Sequence, residues 1–449
     1  MEVSQSSDAS GASAAAEAPA AAPTCRAERI TALDTLRGFA LLGILLMNIV
    51  PFGMHGAAYT DPTVTGGATG LNLAVWAVLH VLAEGKMRCL FSMVFGAGVI
   101  LLTSRLEARG GGADIYYRRT LWLLLFGVAH AYLLWFGDIL YPYALCALIL
   151  YPFRKLPARR LLRIGGAIVL FSALAYIGLG FHTRETIAQG RAAEQAAARG
   201  DKLTLEQEEA RKEFEEWRKF NRPSPEELAK DAEEWRGSVP SVLQARARVV
   251  FFFHGKPFYH PFFWDIWSMM FIGMGLMKLR VLGAERPLRH YLGMALIGYG
   301  IGMPVNSYTA WLIVRSNFDP SLHAFANATY DIGRLSIALG HLGMVMIFCQ
   351  RGWLGGLLSR LGAIGQMAFS NYILQSVICA FLFTGYGFGL YGRLQRYELY
   401  YVVAAIWVLQ LIVSPLWLRN FRFGPLEWAW RSLTYWKRQP LRLAEAAGA

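Results

Sequence analysis

The side chains able to carry chemistry lie inside stretches otherwise too apolar to hold them. His130 and Asp138 flank the junction Phe126-Gly-Val-Ala-His130-Ala-Tyr-Leu-Leu-Trp135-Phe-Gly137-Asp138-Ile-Leu-Tyr141-Pro142. A carboxylate orienting an imidazole makes a general base. The plainer alternative is Asp138 as a helix N-cap and His130 bonded to a neighbouring helix. Glu84, Lys86 and Arg88 fall within five residues and lead into Ser92, Gly96 and Gly98. Small residues at that spacing suit close helix packing beside a polar cavity. Lys86 or Arg88 facing inward could stabilise an anion or a developing oxyanion, whereas facing outward they would be an interfacial snorkelling cluster.

A third group opens the first apolar run, Leu33-Asp34-Thr-Leu-Arg37-Gly38 through Met47-Asn48 to Val50. Asp34 and Arg37 are i,i+3 neighbours and can pair on one helical face. Asn48 follows Arg37 by eleven residues, which is roughly 1100° of helix, so it returns to that face about 16 Å away. Later, Ser370-Asn371-Tyr372-Ile-Leu-Gln375-Ser376 sets a polar stripe into an apolar span. Interhelical hydrogen bonding is one role for it and lining a pocket the other. The chain closes on Phe421-Arg422-Phe-Gly424-Pro425-Leu-Glu427-Trp428-Ala-Trp430-Arg431. Pro425 suits a first helical turn, and Glu427 and Arg431 are spaced for an i,i+4 pair. The Trp and Arg content fits an interfacial anchor; Arg422 and Arg431 could also dock a phosphate-bearing cofactor. His341, alone in its span, reads as structural.

The elements that must position these groups are membrane helices. Of 449 residues, 55% are hydrophobic, and several apolar runs reach spanning length. The net charge of +13 does not point to nucleic acid, because Lys and Arg cluster at the ends of the apolar runs. The five cysteines have neither metal nor disulfide spacing. No Walker A loop, dinucleotide fingerprint or HExxH motif occurs, so soluble nucleotide hydrolysis and zinc chemistry have no support.

The expected fold class is all-α, a polytopic membrane helix bundle of about ten transmembrane helices, at 33–50, 86–104, 119–136, 139–153, 160–181, 262–279, 290–314, 331–350, 366–384 and 400–418. Basic residues alternate between the connections so that both N- and C-termini are cytoplasmic by the positive-inside rule. Residues 71–83 either lie along the outer surface or extend the second span. The chain divides into a disordered Ala/Ser-rich tail at 1–28, a first membrane half at 29–181, a polar extracytoplasmic helical insertion at 182–257, a second membrane half at 258–420, and an interfacial cytoplasmic helix and tail at 421–449. The polar part at 182–247 holds 12 Lys/Arg and 14 Asp/Glu, and long loops of that kind translocate whatever their charge.

Together these stretches resemble the YeiB-type family of bacterial inner-membrane proteins. The resemblance rests on Leu33-Asp34-x-Leu36-Arg37-Gly38 with Met47-Asn48, on Glu84-Gly85-Lys86 through Phe95-Gly96, on His130 to Leu140, on Gly365 to Ser376, and on Phe423 to Arg431. The family looks like a branch of a wider transmembrane acyltransferase superfamily that includes heparan glucosaminide acetyltransferase and O-acyltransferases of surface polysaccharides. That likeness implies transfer of an acyl group from cytoplasmic acyl-CoA, such as acetyl-CoA, to an acceptor outside. The O-acyltransferase branch has an arginine in its opening helix and a catalytic histidine eleven residues on. Arg37 matches the arginine, but Asn48 stands at the histidine position, and a carboxamide is no general base near neutral pH. Either His130 supplies the base or the scaffold has another job.

The expected acyltransferase therefore uses His130 as base and Asp138 as its orienter. Asp34, Arg37, Arg422 and Arg431 face the acyl-CoA, and Asn48, Lys86, Arg88, Ser92, Asn371, Tyr372 and Gln375 form the acyl or acceptor site. No metal is expected. The partners are the lipid bilayer, a glycan, lipid or small-molecule acceptor and, as a candidate, a second copy of the chain. The competing expectations are a transporter or exporter lined by the same charges, and a scaffold or signalling protein.

Overall fold

The computed structural model describes residues 29–255, 261–320, 322 and 329–443, so the expected tail at 1–28 lies outside the described residues. Among the described residues helix dominates, and the only β pairing is an isolated Phe421–Arg442 bridge. Each of the ten segments expected to span is helical. Five helical runs are by themselves long and apolar enough to cross a bilayer: Thr31–Gly53, Gly70–Ala108, Ala158–Ala198, Tyr330–Arg351 and Arg396–Asn420. A sixth results if Gly355–Gln366 and Ala368–Phe383, bent by 85° at Met367, count as one broken span. The chain is a multi-pass membrane protein. Exposed Leu121, Leu125, Leu170, Phe171, Leu174, Leu296, Ile297 and Ile412 give its flank the apolar surface that lipid requires.

In chain order the helices are α1 (Thr31–Gly53), α2 (Gly70–Leu82), α3 (Lys86–Ala108), α4 (Ala113–Leu133), α5 (Leu140–Leu150), α6 (Ala158–Ala198), α7 (Leu205–Asn221), α8 (Pro225–Arg236) and α9 (Val239–Gly255). They continue as α10 (Pro261–Lys278), α11 (Leu288–Arg315), α12 (Tyr330–Arg351), α13 (Gly355–Gln366), α14 (Ala368–Phe383), α15 (Arg396–Asn420) and α16 (Pro425–Tyr435). Some of the remaining expected spans fall short for local reasons. Helix α5 has 11 residues, about 16 Å of helix against a hydrocarbon core of about 30 Å. Charges interrupt others, Asp114, Arg118 and Arg119 in the first two turns of α4, and Asp265 and Lys278 in α10.

Residues 71–83 extend the second span. Helices α2 and α3 run on through a short break at which Gly85 has φ +71°, a left-handed conformation that glycine adopts without strain. Helix α6 has 41 residues, so it continues past any bilayer surface, and the boundary expected at 181/182 falls inside it. Its distal part packs on α7. Capping boxes start both α7 (Thr204 with Gln207) and α8 (Ser224 with Glu227).

Glycines let several helices of the bundle approach closely, as expected where lipid offers no hydrophobic drive between helices. Helix α1 packs on α3 and α13, and α10 is wedged between α3 and α6. A methyl group on Gly38 would overlap the Leu361 carbonyl, and one on Gly365 would overlap the Asp34 carbonyl. Gly96 and Gly273 make the same reciprocal approach between α3 and α10. Gly38→Val is therefore expected to destabilise the protein by about 1–3 kcal/mol, read as a lowered melting temperature in detergent. An unchanged melting temperature would contradict this contact.

Candidate functional site

At the end of the bundle where α1 begins, the local sequence dictates a basic mouth. Asp34 and Arg37 pair as their spacing predicts, at 2.7 Å, and Arg29 reaches the other Asp34 oxygen at 3.5 Å. Arg37 also donates to the Gly365 carbonyl at 3.3 Å, which ties α1 to the end of α13. Around them a cavity of about 270 Å³ is lined by Arg29, Arg37, Arg105, Arg119 and Arg431, with Asp34 and Glu427 as its acids. Its inner end is Phe91, Leu140, Tyr143 and Tyr372.

The expected Glu427–Arg431 pair does not form. Glu427 instead accepts from the backbone N–H of Phe369 at 2.7 Å and of Ser370 at 3.1 Å, and from the Ser370 hydroxyl at 2.5 Å. It caps the N-terminus of α14, whose several unpaired N–H groups attract a carboxylate more strongly than a single guanidinium does. Burial raises the pKa of the Glu427 carboxyl, and these donors oppose the shift. Arg431 is left facing the cavity, its guanidinium 4.6 Å over the Phe423 ring, while Arg119 sits 3.7 Å over Trp430. Burial pushes the Arg431 pKa down to about 9, and the Arg119 and Arg29 cations add to the shift. Cations so placed favour an anion in the mouth. Arg422 is not in this cavity; it lines a separate recess with Arg29 and Arg419.

A second cavity, of about 360 Å³, opens toward the other end of the bundle. Asn48, Arg88 and Asp138 line it, with Tyr59, Trp135, Tyr141, Phe253, His254 and Phe262. Arg88 is held by Asp265 through Nε at 2.9 Å and Nη2 at 2.7 Å, and by the Tyr330 hydroxyl at 3.3 Å. Lys86 is fully buried and turned away, donating to the His80 carbonyl at 2.6 Å. It lines neither cavity.

The wall between the cavities is the α4–α5 junction packed on α14. Asp138 and Ile139 face the second cavity, while Leu140 faces the first. His130 is 3% exposed and bridges the wall: Nδ1 lies 2.7 Å from Asp138 Oδ1, and Nε2 lies 2.8 Å from Ser376 Oγ. Asp138 also caps α5, its Oδ2 accepting from the Tyr141 N–H at 2.6 Å. Asp138 thus contacts His130 and caps α5 at the same time. Tyr372 accepts from the Ile139 N–H at 3.2 Å, and Tyr143 bonds Ser92 at 2.6 Å. Asn371 and Gln375 turn the other way. Asn371 bonds Ser414 at 3.0 Å and Gln375 bonds Gln410 at 2.9 Å, clamping α14 to α15 without reaching either cavity.

Sequence reasoning missed His254, whose ring stacks on Tyr141 at 3.8 Å, and the charged partners behind Arg88. Those are Asp265, Asp331 and Arg334, all buried. One signal was present, since Asp331-x-x-Arg334 repeats at the start of α12 the spacing of Asp34-x-x-Arg37 in α1.

Comparison with known proteins finds relatives along more than nine-tenths of the chain. Residues 276–437 match the family described as "Protein of unknown function (DUF418)". YeiB of Escherichia coli (strain K12) is 31% identical over 410 residues, covering 91% of this chain and 96% of that protein. YxaH of Bacillus subtilis (strain 168) is 29% identical over 442 residues, covering 93% and 97%. A 39.9 kDa protein encoded in the amylase 3′ region of Bacillus acidopullulyticus is 28% identical over 427 residues, covering 95% and 99%. No solved structure matches.

Proposed function

The chain belongs to the YeiB-type DUF418 family, and on that footing we propose that it is a bacterial inner-membrane acyltransferase with a cytoplasmic basic mouth. It takes an acyl group from acyl-CoA there and delivers it to a glycan, lipid or small-molecule acceptor entering the second cavity from outside. The observation that carries this reading is the pair of cavities meeting at one wall that contains His130 and Asp138. Arginines at the mouth suit the phosphates of CoA, since guanidinium groups bind phosphate through paired, charge-assisted hydrogen bonds. Beyond them the cavity is lined by apolar and aromatic side chains, which suit a pantetheine arm and its thioester. The likeness of the opening helix to the acyltransferase superfamily agrees with this placement, with Asn48 on the acceptor side. In this reading ten helical segments complete the membrane domain and both termini are cytoplasmic.

The test is acetyl-CoA binding and CoA release by the purified full-length protein in detergent or nanodiscs. Binding that weakens with added salt is expected. Arg431→Gln, which keeps the aliphatic stem and a polar end but removes the charged guanidinium, is expected to raise the acetyl-CoA Kd about tenfold, a loss of about 1.4 kcal/mol. No acetyl-CoA binding, together with solute accumulation in proteoliposomes, would replace this reading by transport.

A further inference from the structure

Resting on the acyl-transfer reading, we infer that Ser376 is a nucleophile that carries the acyl group as an ester between the two cavities. The argument begins with the tautomer of His130. Asp138 Oδ1 lies 2.7 Å from Nδ1, and a carboxylate can only accept there, so the proton of the neutral imidazole sits on Nδ1. Nε2 is then a bare acceptor, and the group 2.8 Å away that can donate to it is the Ser376 hydroxyl. A serine within a helix ordinarily gives its proton to the carbonyl four residues earlier. Ser376 has that option in Tyr372, but at the longer distance of 3.3 Å. Carboxylate, imidazole and hydroxyl thus form the ordered chain that activates a serine.

The same geometry bears on the acceptor. Both ring nitrogens of His130 are engaged and its side chain lines neither cavity. An acceptor hydroxyl therefore has no direct approach to Nε2 while Ser376 holds it. The hydroxyl His130 is placed to deprotonate is that of Ser376. Tyr372, one turn before Ser376 on α14, lines the floor of the basic-end cavity and stands with its ring 5.0 Å from that of His130. Its oxygen already accepts from the Ile139 N–H, so its own proton is free to be given to a thioester oxygen that becomes negative. Ser376 is 1% exposed and lies one turn beyond Tyr372, so the thioester reaches it past the Tyr372 ring at the inner end of that cavity.

In the first step Ser376 Oγ bonds to the acyl carbonyl carbon, and His130 Nε2 takes the hydroxyl proton. The carbon–sulfur bond breaks, and the CoA sulfur leaves with that proton as a free thiol. In the second step the oxygen of an acceptor alcohol, or of water, bonds to the same carbon and gives its proton to Nε2. The ester bond to Ser376 breaks and Oγ regains the proton. No redox partner is needed, and the two substrates never meet.

The experiment incubates the full-length protein in nanodiscs with radiolabelled acetyl-CoA and no acceptor, followed by an acid quench, intact mass and peptide mapping. The expected result is one acetyl group on the peptide containing Ser376, removed by hydroxylamine at alkaline pH and absent from Ser376→Ala. CoA release by Ser376→Ala should fall about 100-fold or more. Ser376→Cys, close in volume, guards against misfolding of the alanine variant and should carry the acetyl group as a thioester that hydroxylamine cleaves at neutral pH. CoA release at the full rate by an unlabelled wild-type protein, with Ser376→Ala equally active, would overturn the acyl-enzyme and leave acyl transfer standing. Failure of the wild type to bind acetyl-CoA or release CoA would overturn both.

Discussion

His130→Ala is expected to lower CoA release from acetyl-CoA by about 10²–10⁴-fold, the range over which a positioned base acts. The ring touches both the carboxylate of Asp138 and the hydroxyl of Ser376. Its loss leaves the cavities and the arginine mouth in place, so acetyl-CoA affinity should change far less than turnover. The pair of measurements matters, because a merely structural histidine would lower both along with the melting temperature. Asp138→Asn sharpens the test. The carboxamide can still accept from the Tyr141 N–H and cap α5, but it no longer holds Nδ1–H with a full negative charge. A lower turnover number and a shifted pH–rate profile, at unchanged Kd for acetyl-CoA, are expected; a variant that alters only stability would remove Asp138 as the positioning residue.

Arg334→Met is expected to destabilise the protein by about 3–5 kcal/mol, the usual consequence of removing one partner from a buried ion cluster. Arg334 is 0% exposed and joins Asp331, at 2.5 Å, to Asp265. Asp265 is shared with Arg88 on its other oxygen. Without Arg334, Asp331 becomes a buried carboxylate with no cation, and Asp265 keeps one instead of two. Unfolding titrations in mixed micelles would show the loss. The double variant Arg334→Met with Asp331→Leu should recover much of it, since an apolar pair does not leave a charge stranded. No recovery would mean that Arg334 acts through something other than its charge. Because Arg88 lines the second cavity through the same cluster, turnover is expected to fall in the single variant even below its unfolding range.

What could be read from the sequence divides by the distance over which each contact is made. The Asp34–Arg37 pair depends on one helical turn, and helical spacing alone predicts it. The ten apolar segments are likewise local, and all are helical. Glu427 shows where local spacing misleads. The i,i+4 rule offers Arg431, but three donors at the start of α14, brought in from nearly sixty residues away, outbid it. His130 and Asp138 lie eight residues apart across a break between helices. Their chemistry was visible, whereas their contact depends on α4 and α5 meeting at Gly127, where a side chain would strike Tyr141. Ser376 is 246 residues from His130, and no pattern along the chain connects them. Asp265 and Asp331 sit at the edges of apolar runs, where a charge is ordinarily taken for a boundary marker.

The bend of 85° at Met367 has a consequence for how the protein is made. It leaves the positive end of α14 inside the bundle, waiting for a carboxylate that comes from Glu427, in the last helix of the described chain. Synthesis adds that residue after the last residue of every described membrane helix. Until then the broken span has an unsatisfied terminus, and the neighbouring arginines have no floor beneath them. Completion of the basic mouth thus waits on the last described helix of the chain. A chain truncated just before Pro425 would keep every described membrane helix and still lack a finished mouth.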